Sequence, residues 1–277
     1  MDWRPGASIA TLQARSALLG RIREFFSARS VIEVQTPLLG QHTVTDPDVE
    51  AIAVGGYGYL QTSPEYFMKR LLAAGLGDCY QLASVFRHDE QGRLHNPEFT
   101  LLEWYRLGVD DQWLMQEVAD LCDCVLGPGT YTQHTYASLV GDLDQPREVL
   151  DLRMATACEA LEGRCFVVDY PADQAALARL RADRPASSAR FELVIDGTEV
   201  ANGYWELTDP DEHRQRFSTD LTMRAKRGLS QPAMDERLLA ALAHGLPDCA
   251  GVAMGLDRLL MHALGCNRID EVLAFRR

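Results

Sequence analysis

The chain has 277 residues, enough for one large domain or two small ones, and an apolar fraction of 47% supports a substantial core rather than disorder. Lys and Arg total 27 against 40 Asp and Glu, a formal charge of −13, which argues against a protein that grips nucleic acid through phosphate contacts and suits a basic protein partner. The seven cysteines are scattered, the N-terminus MDWRPGAS lacks an apolar signal region, and no apolar run reaches a membrane span, so reduced thiols and a cytoplasmic location are expected.

Leu18, Ile22, Phe25 and Phe26 recur at i, i+4, i+7 and i+8, which predicts a helix over 11–29 with one apolar face. VIEVQTPLL (31–39) follows as a short extended segment in which Pro37 blocks a ladder bond. A hairpin is expected over 51–61, with Gly55, Gly56 and Gly58 at its turn. TSPEYFMKRLLAAGLG (62–77) reads as a helix capped by Thr62 or Ser63, with Pro64 in its first turn. CYQLASVF (79–86) reads as a buried strand, followed by the charged turn RHDEQGR and a second strand within GRLHNPEFTLLEWYRL (92–107). A helix is predicted over 111–126, another near 150–162, a strand over 165–170 and a helix near 172–182. RFELVIDGTEVANGYWEL (190–207) carries a strong hairpin signal at Asp196-Gly197. Helices are expected in 208–244, and CAGVAMGLDRLLMHALG (249–265) reads as a small-residue strand that turns into a helix at about Asp257. There is no repeat or low-complexity linker. The simplest organisation is one α+β domain over 1–277, a mostly antiparallel sheet flanked by helices.

Three places carry carboxylates or small residues in patterns that core packing does not require. Strand alternation places Phe99, Leu101, Glu103, Tyr105 and Leu107 on one face. Glu103 is then either solvated on an edge strand or buried with a partner. In the hairpin, a two-residue turn sets Ile195 opposite Thr198, Val194 opposite Glu199 and Glu192 opposite Ala201. Glu192 and Glu199 become diagonal neighbours on the order of 7 Å apart. They form either a solvated polar face or an oxygen-only site for Mg²⁺ with phosphates. Glu206, seven residues beyond Glu199, falls on the opposite face unless a bulge, for which Gly203 is a candidate, restores it. In GVAMGLDRLL, the near absence of side chains at Gly251, Ala253 and Gly255 suits a flat ligand or a close backbone. Arg258 can then serve a polyphosphate or lie on the surface of a tight corner.

In combination these segments resemble the catalytic core of class II aminoacyl-tRNA synthetases, in the lysine branch, over nearly the whole chain. Residues 21–39 resemble the first motif of that fold, VFRHDEQGRLHNPEFTLLEWYR the second and GVAMGLDRL the third; TSPEYFMKRLL, GTEVANGYWELTD and RQRF are lysine-branch signatures. Within the branch the chain is most similar to the elongation factor P–(R)-β-lysine ligases. The first motif helix begins by about residue 12, so no N-terminal anticodon-binding OB-fold is expected. The acidic balance suits a protein acceptor better than tRNA, and Ala253 stands where lysyl-tRNA synthetases generally have glycine.

The resemblance implies ATP-dependent formation of an aminoacyl-adenylate from lysine or (R)-β-lysine, with transfer to a lysine of elongation factor P, in a homodimer formed through the first motif. It implies Arg87 at the α-phosphate, Arg258 at the γ-phosphate with His95 assisting, and Phe99 stacked on adenine. His88, Asp89, Asn96, Val200 and Gly255 would contact the nucleotide, and Glu192 and Glu199 would hold Mg²⁺, with Glu199 also on ATP. Ser63, Pro64 and Glu65 would receive the substrate amino group, Asn202 its carboxylate, Glu206, Tyr105 and Glu103 its ε-ammonium, and Ala253 would shape the pocket. Two other readings remain: an enzyme of this fold that charges tRNA or a tRNA-like acceptor, and an inactive regulatory paralogue. Retention of Arg87, Arg258, Glu192, Glu199 and Glu206 speaks against the last. The chain departs from the family pattern at Asp89, where glutamate is usual, at Leu94, where some relatives carry an aromatic, and in a short 127–186 segment.

Overall fold

The structure, a computed structural model, describes residues 3–276. Helix α1 (Ile9–Ser27) is N-capped by Ser8, whose Oγ accepts from the Thr11 amide, and it buries Leu18, Ile22, Phe25 and Phe26. The extended segment that follows is paired only at β1 (Ile32–Glu33) and β2 (Leu39–Gly40), on either side of Pro37. The hairpin is β3 (Ala53–Val54) and β4 (Gly58–Leu60). Helix α2 spans Glu65–Ala73, shorter at both ends than its sequence pattern suggests, and Gly75 beyond it has positive φ. Strands β5 (Cys79–Phe86) and β6 (Glu98–Leu107) precede α3 (Asp111–Leu126), capped by Asp110. Next come β7 (Tyr131–Thr135), α4 (Tyr136–Val140), α5 (Arg147–Glu159), β8 (Arg164–Val168), β9 (Arg190–Ile195) and β10 (Thr198–Trp205). Asp209 and Asp235 cap α6 (Pro210–Lys226) and α7 (Glu236–Gly245), and β11 (Cys249–Gly255) runs directly into α8 (Leu256–Leu264).

One reading of the middle segment needs correction. Residues 172–182 form a helix only as a 3₁₀ turn at Ala172–Gln174. After a further turn at 176–177 the chain bridges Ala178 to Glu206 and Leu180 to Ser188. The Arg179 amide donates to Trp205 O and the Leu207 amide to Leu177 O, so tertiary pairing satisfies a backbone whose composition favours helix. Residues 131–140, which carry no clear periodicity, form β7 and α4.

The chain folds as two compact units, and all architecture is α+β with mostly antiparallel pairing. The first unit gathers the chain up to Leu107, Thr208–Asp248 and everything from Gly255 onward. In it β5 pairs antiparallel with β6 and parallel with β1, while β2, β4 and β3 form a small separate sheet. Phe26 of α1 stacks on Tyr80 and meets Trp104 edge-on, so α1 covers the β5–β6 face opposite Glu103. The second unit, Gly108–Leu207 with Cys249–Met254, holds β11, β10, β9, β8 and β7 in that order. Helix α3 packs on the face of Phe166 and Phe191; α4 and α5 pack on the other around Val167 and Val194.

Candidate active site

In the first unit, the register of β5 and β6 sets Glu103 opposite Gln81 and Tyr105 opposite Cys79. Glu103 is 2% exposed, so it is not a solvated edge carboxylate. Its Oε2 accepts from Ser63 Oγ at 2.6 Å and its Oε1 from Tyr105 OH at 2.7 Å. Burial, and then the charge of Glu65, push its pKa up to about 8 against the opposing pull of those two hydroxyls and of Lys69. Ser63 Oγ also accepts from the Glu65 amide at the start of α2, so the TSPE turn is built around it. Glu65 Oε1 accepts from Lys69 Nζ at 2.7 Å. Pro64 occupies the N-cap of α2 and makes no side-chain cap.

The charged turn between β5 and β6 is fastened at several points. The Arg87 amide donates to Pro97 O and the His88 amide to Glu50 O; Asp89 takes positive φ and lies exposed beside His88. The Arg87 guanidinium lies 5.1 Å from the Phe99 ring centre, and its Nη1 reaches Glu90 at 3.4 Å. Arg93 donates to Asn267 O and so braces the turn. Arg258, in the first turn of α8, donates to His95 Nε2 at 2.7 Å. Burial, followed by the charge of Arg258, depresses the His95 pKa, which keeps the ring neutral with Nε2 as acceptor. Asp257 positions this turn: it accepts from the Thr100 amide at 2.7 Å and from Arg15 at 2.5 Å, tying α8 to β6 and α1. Gly255 is the residue before α8. Arg87 Nε and Asn96 Oδ1 are buried and have no hydrogen-bond partner among the described residues. Buried polar atoms of this kind are costly until a ligand meets them.

In the second unit, the hairpin register departs from a flat two-residue-turn ladder. Ile195 pairs with Thr198 and Val194 with Glu199, as the turn predicts, but the register then shifts between Glu199 and Ala201. Leu193 therefore faces Ala201, and Glu192 faces Asn202 rather than Ala201. The bulge lies at Val200 and not at Gly203, whose pairing to Phe191 and Val252 is continuous. Gly203 is needed for another reason: a Cβ there would lie 2.3 Å from the Phe191 ring. With the bulge in place, Arg190, Glu192, Glu199, Asn202, Tyr204 and Glu206 alternate onto one face. Asn202 pairs with Ala253 and Tyr204 with Gly251, so the small residues of β11 share that face. The extended strap at Ala178 holds Glu206, which is 1% exposed, and Arg179 donates to Glu206 O.

Glu192 Oε1 accepts from Arg190 at 2.5 Å, and Glu199 is exposed. Asn202 Oδ1 is buried without a hydrogen-bond partner among the described residues. No cluster of three His, Cys, Asp or Glu side chains suited to a metal occurs among the described residues. Mg²⁺ characteristically takes one or two carboxylates and completes its shell with phosphate oxygens and water, and the Glu192–Glu199 donor set fits that demand.

The sequence did not single out Lys69, Arg190 or Asp257. Lys69 had a visible signal, four residues after Glu65 on one helix face, and Arg190 another, two residues before Glu192 on one strand face. Asp257 had none, because its partners Arg15 and Thr100 are far away in sequence.

A strand pair carrying a fastened arginine turn, and a small-residue strand that feeds an arginine helix, define the class. The chain belongs to the family of tRNA synthetases class II (D, K and N), whose pattern matches residues 1–277. Within it, the chain is 43% identical to an elongation factor P–(R)-β-lysine ligase of Vibrio vulnificus (strain YJ016), over 99% of this chain and 98% of the relative. A ligase of the same name from Edwardsiella ictaluri (strain 93-146) is 44% identical over 99% and 97%. A third, from Vibrio cholerae serotype O1, is 43% identical over the same shares. These matches extend over 315 aligned positions, more than the 277 residues present, so the relatives carry segments that this chain lacks. Among the described residues no helix is long and apolar enough to cross a membrane.

Proposed function

We propose that the chain activates (R)-β-lysine with ATP and passes the aminoacyl group to a lysine ε-amine of elongation factor P. The observation that carries this reading is the hairpin face, where one bulge gathers Glu192, Glu199, Asn202 and Glu206 beside Ala253. Carboxylates for a metal and for ammonium groups on one strand pair suit an amino acid with two amines and a triphosphate. The names of relatives at 43–44% identity, matched over 97–98% of their length, support the particular substrate and acceptor.

The chemistry needs no side-chain nucleophile. A substrate carboxylate oxygen attacks the α-phosphorus, pyrophosphate leaves, and the adenylate forms. The acceptor amine then attacks the carbonyl carbon, loses a proton and expels AMP. Arg87 neutralises charge at the α-phosphate, and its unpaired Nε is available for that contact. Arg258, held by neutral His95, binds the γ-phosphate. Phe99 stacks on adenine, with Arg87 over its ring. His88, Asp89, Asn96, Val200 and Gly255 make the remaining nucleotide contacts. Glu192 and Glu199 would hold Mg²⁺, which would supply neutralisation of phosphate charge when bound. Asn202 orients the substrate carboxylate, and Glu206, Glu103 and Tyr105 serve the ε-ammonium. Ser63 and Pro64 shape the turn that presents Glu65 to the other amine, and Ala253 trims the pocket. The residues act as one catalytic domain over 1–277, in a cytoplasmic homodimer formed through the first motif.

The test is ATP–pyrophosphate exchange with α-lysine and with (R)-β-lysine, followed by label transfer to elongation factor P or to tRNA. The expected result is exchange with (R)-β-lysine and transfer to the protein. No exchange with either amino acid, or transfer to tRNA alone, would overturn the reading.

A further inference from the structure

The chain contains 25 arginines and only two lysines, Lys69 and Lys226. One of the two is fully buried: the Lys69 side chain is 0% exposed and meets Glu65, whose side chain is 17% exposed, at 2.7 Å. Lysine is almost never buried to this degree without a carboxylate partner. An i,i+4 pair on a helix surface contributes little, but here the cation is sealed from water, so its attraction is not screened.

The geometry of Glu65 is set from two sides. Ser63 Oγ receives its amide, Lys69 holds Oε1, and Oε2 makes no hydrogen bond among the described residues. One oxygen is fixed by Lys69, and the other is left for a ligand. Glu103 stands close enough to Glu65 for that charge to raise the Glu103 pKa, and Lys69 opposes this.

We propose that Lys69 is a positioning residue for amino-acid recognition: it holds Glu65 oriented so that Oε2 receives the substrate's non-ε amine. This rests on the role given to Glu65 above. Lys69 itself touches no substrate. Its removal leaves two neighbouring carboxylates, Glu65 and Glu103, with less positive charge beside them. Glu103, whose pKa Lys69 lowers, then keeps its proton to higher pH, and ammonium binding beside it weakens most at neutral and acid pH.

The experiment measures (R)-β-lysine KM and kcat by pyrophosphate exchange, at pH 6.5 to 8.5, for the wild type, Glu65→Gln, Lys69→Met and the double variant. Lys69→Met is expected to raise the (R)-β-lysine KM at least tenfold at pH 7, with kcat and the KM for ATP within twofold. The defect shrinks as pH rises, and Lys69→Met adds nothing in the Glu65→Gln background. The double variant removes both charges of the pair, so it reports even if Lys69→Met alone folds poorly. A wild type inactive with both lysines overturns the function proposed above and this inference with it. A defect in Glu65→Gln but none in Lys69→Met overturns the inference alone. A Lys69→Met defect that adds fully to that of Glu65→Gln, does not vary with pH, or appears equally in the ATP KM also overturns it.

Discussion

Strand β6 and the β9–β10 hairpin both carry carboxylates on a sheet face, and they treat the charge in opposite ways. Glu103 on β6 is sealed from water, both of its oxygens accept hydroxyl protons, and burial raises its pKa to about 8. On the hairpin, Glu199 is exposed, and Glu192 leans on Arg190. The first arrangement is assembled from the chain's own groups before any ligand arrives. The second presents oxygens and leaves Asn202 Oδ1 unmet. A residue type alone does not separate these roles; neighbouring donors and water do.

The sharpest way to break the contrast lies in the preassembled region. Arg258→Ala removes the guanidinium that His95 already holds, and pyrophosphate exchange is expected to fall by about 100- to 1000-fold. A loss under tenfold would mean that the Arg258–His95 pair is structural. Glu103→Gln comes next. Because the folded-state pKa of about 8 lies above the ordinary 4.5, the folded chain keeps a proton that the unfolded chain sheds between those values. Wild-type stability should therefore be greatest below about pH 4.5 as far as this group is concerned, and fall by a few kcal/mol as pH rises toward 8. Urea midpoints measured from pH 5 to 8 should show a flatter profile for the variant, and parallel profiles would show that Glu103 is ionised throughout.

Two smaller effects test the hairpin. Gly203→Ala drives a methyl into the Phe191 ring and should cost about 1–3 kcal/mol in denaturant unfolding. An unchanged midpoint would mean that the Phe191 ring can move aside. Glu199→Gln leaves the fold alone, since the residue is exposed, and should raise the Mg²⁺ concentration for half-maximal exchange about tenfold, or ~1.4 kcal/mol. An unaltered Mg²⁺ requirement would remove Glu199 from the metal site.

The parts of the molecule legible in the sequence are those with local causes. The apolar stripe of α1, the strand–turn–strand of β9 and β10 and the strand-to-helix passage of β11 and α8 follow from spacing and turn residues within each segment. The segment after Pro171 departs from its pattern because its alanines and leucines favour helix, while two of its backbone partners, Trp205 and Leu207, lie more than twenty residues away. The bulge was foreseeable as a need and not as a position. Gly203 was the obvious candidate, but the register yields at Val200, and the glycine turned out to serve an aromatic ring. The burial of Glu103 was likewise open until Ser63 was seen against it, since nothing in a strand announces a partner forty residues upstream.

The bulge at Val200 makes the hairpin a device that counts in odd and even numbers. Deleting Val200 would change composition by one apolar residue and invert the parity of everything from Asn202 to Glu206, aiming three polar side chains at α3 and turning Gly203 outward. A two-residue excision from the same strand would shorten it and leave its parity intact. For anyone recombining this chain with its longer relatives, the permissible cuts between Glu199 and Glu206 are therefore set less by which residues are exchanged than by whether their number is even.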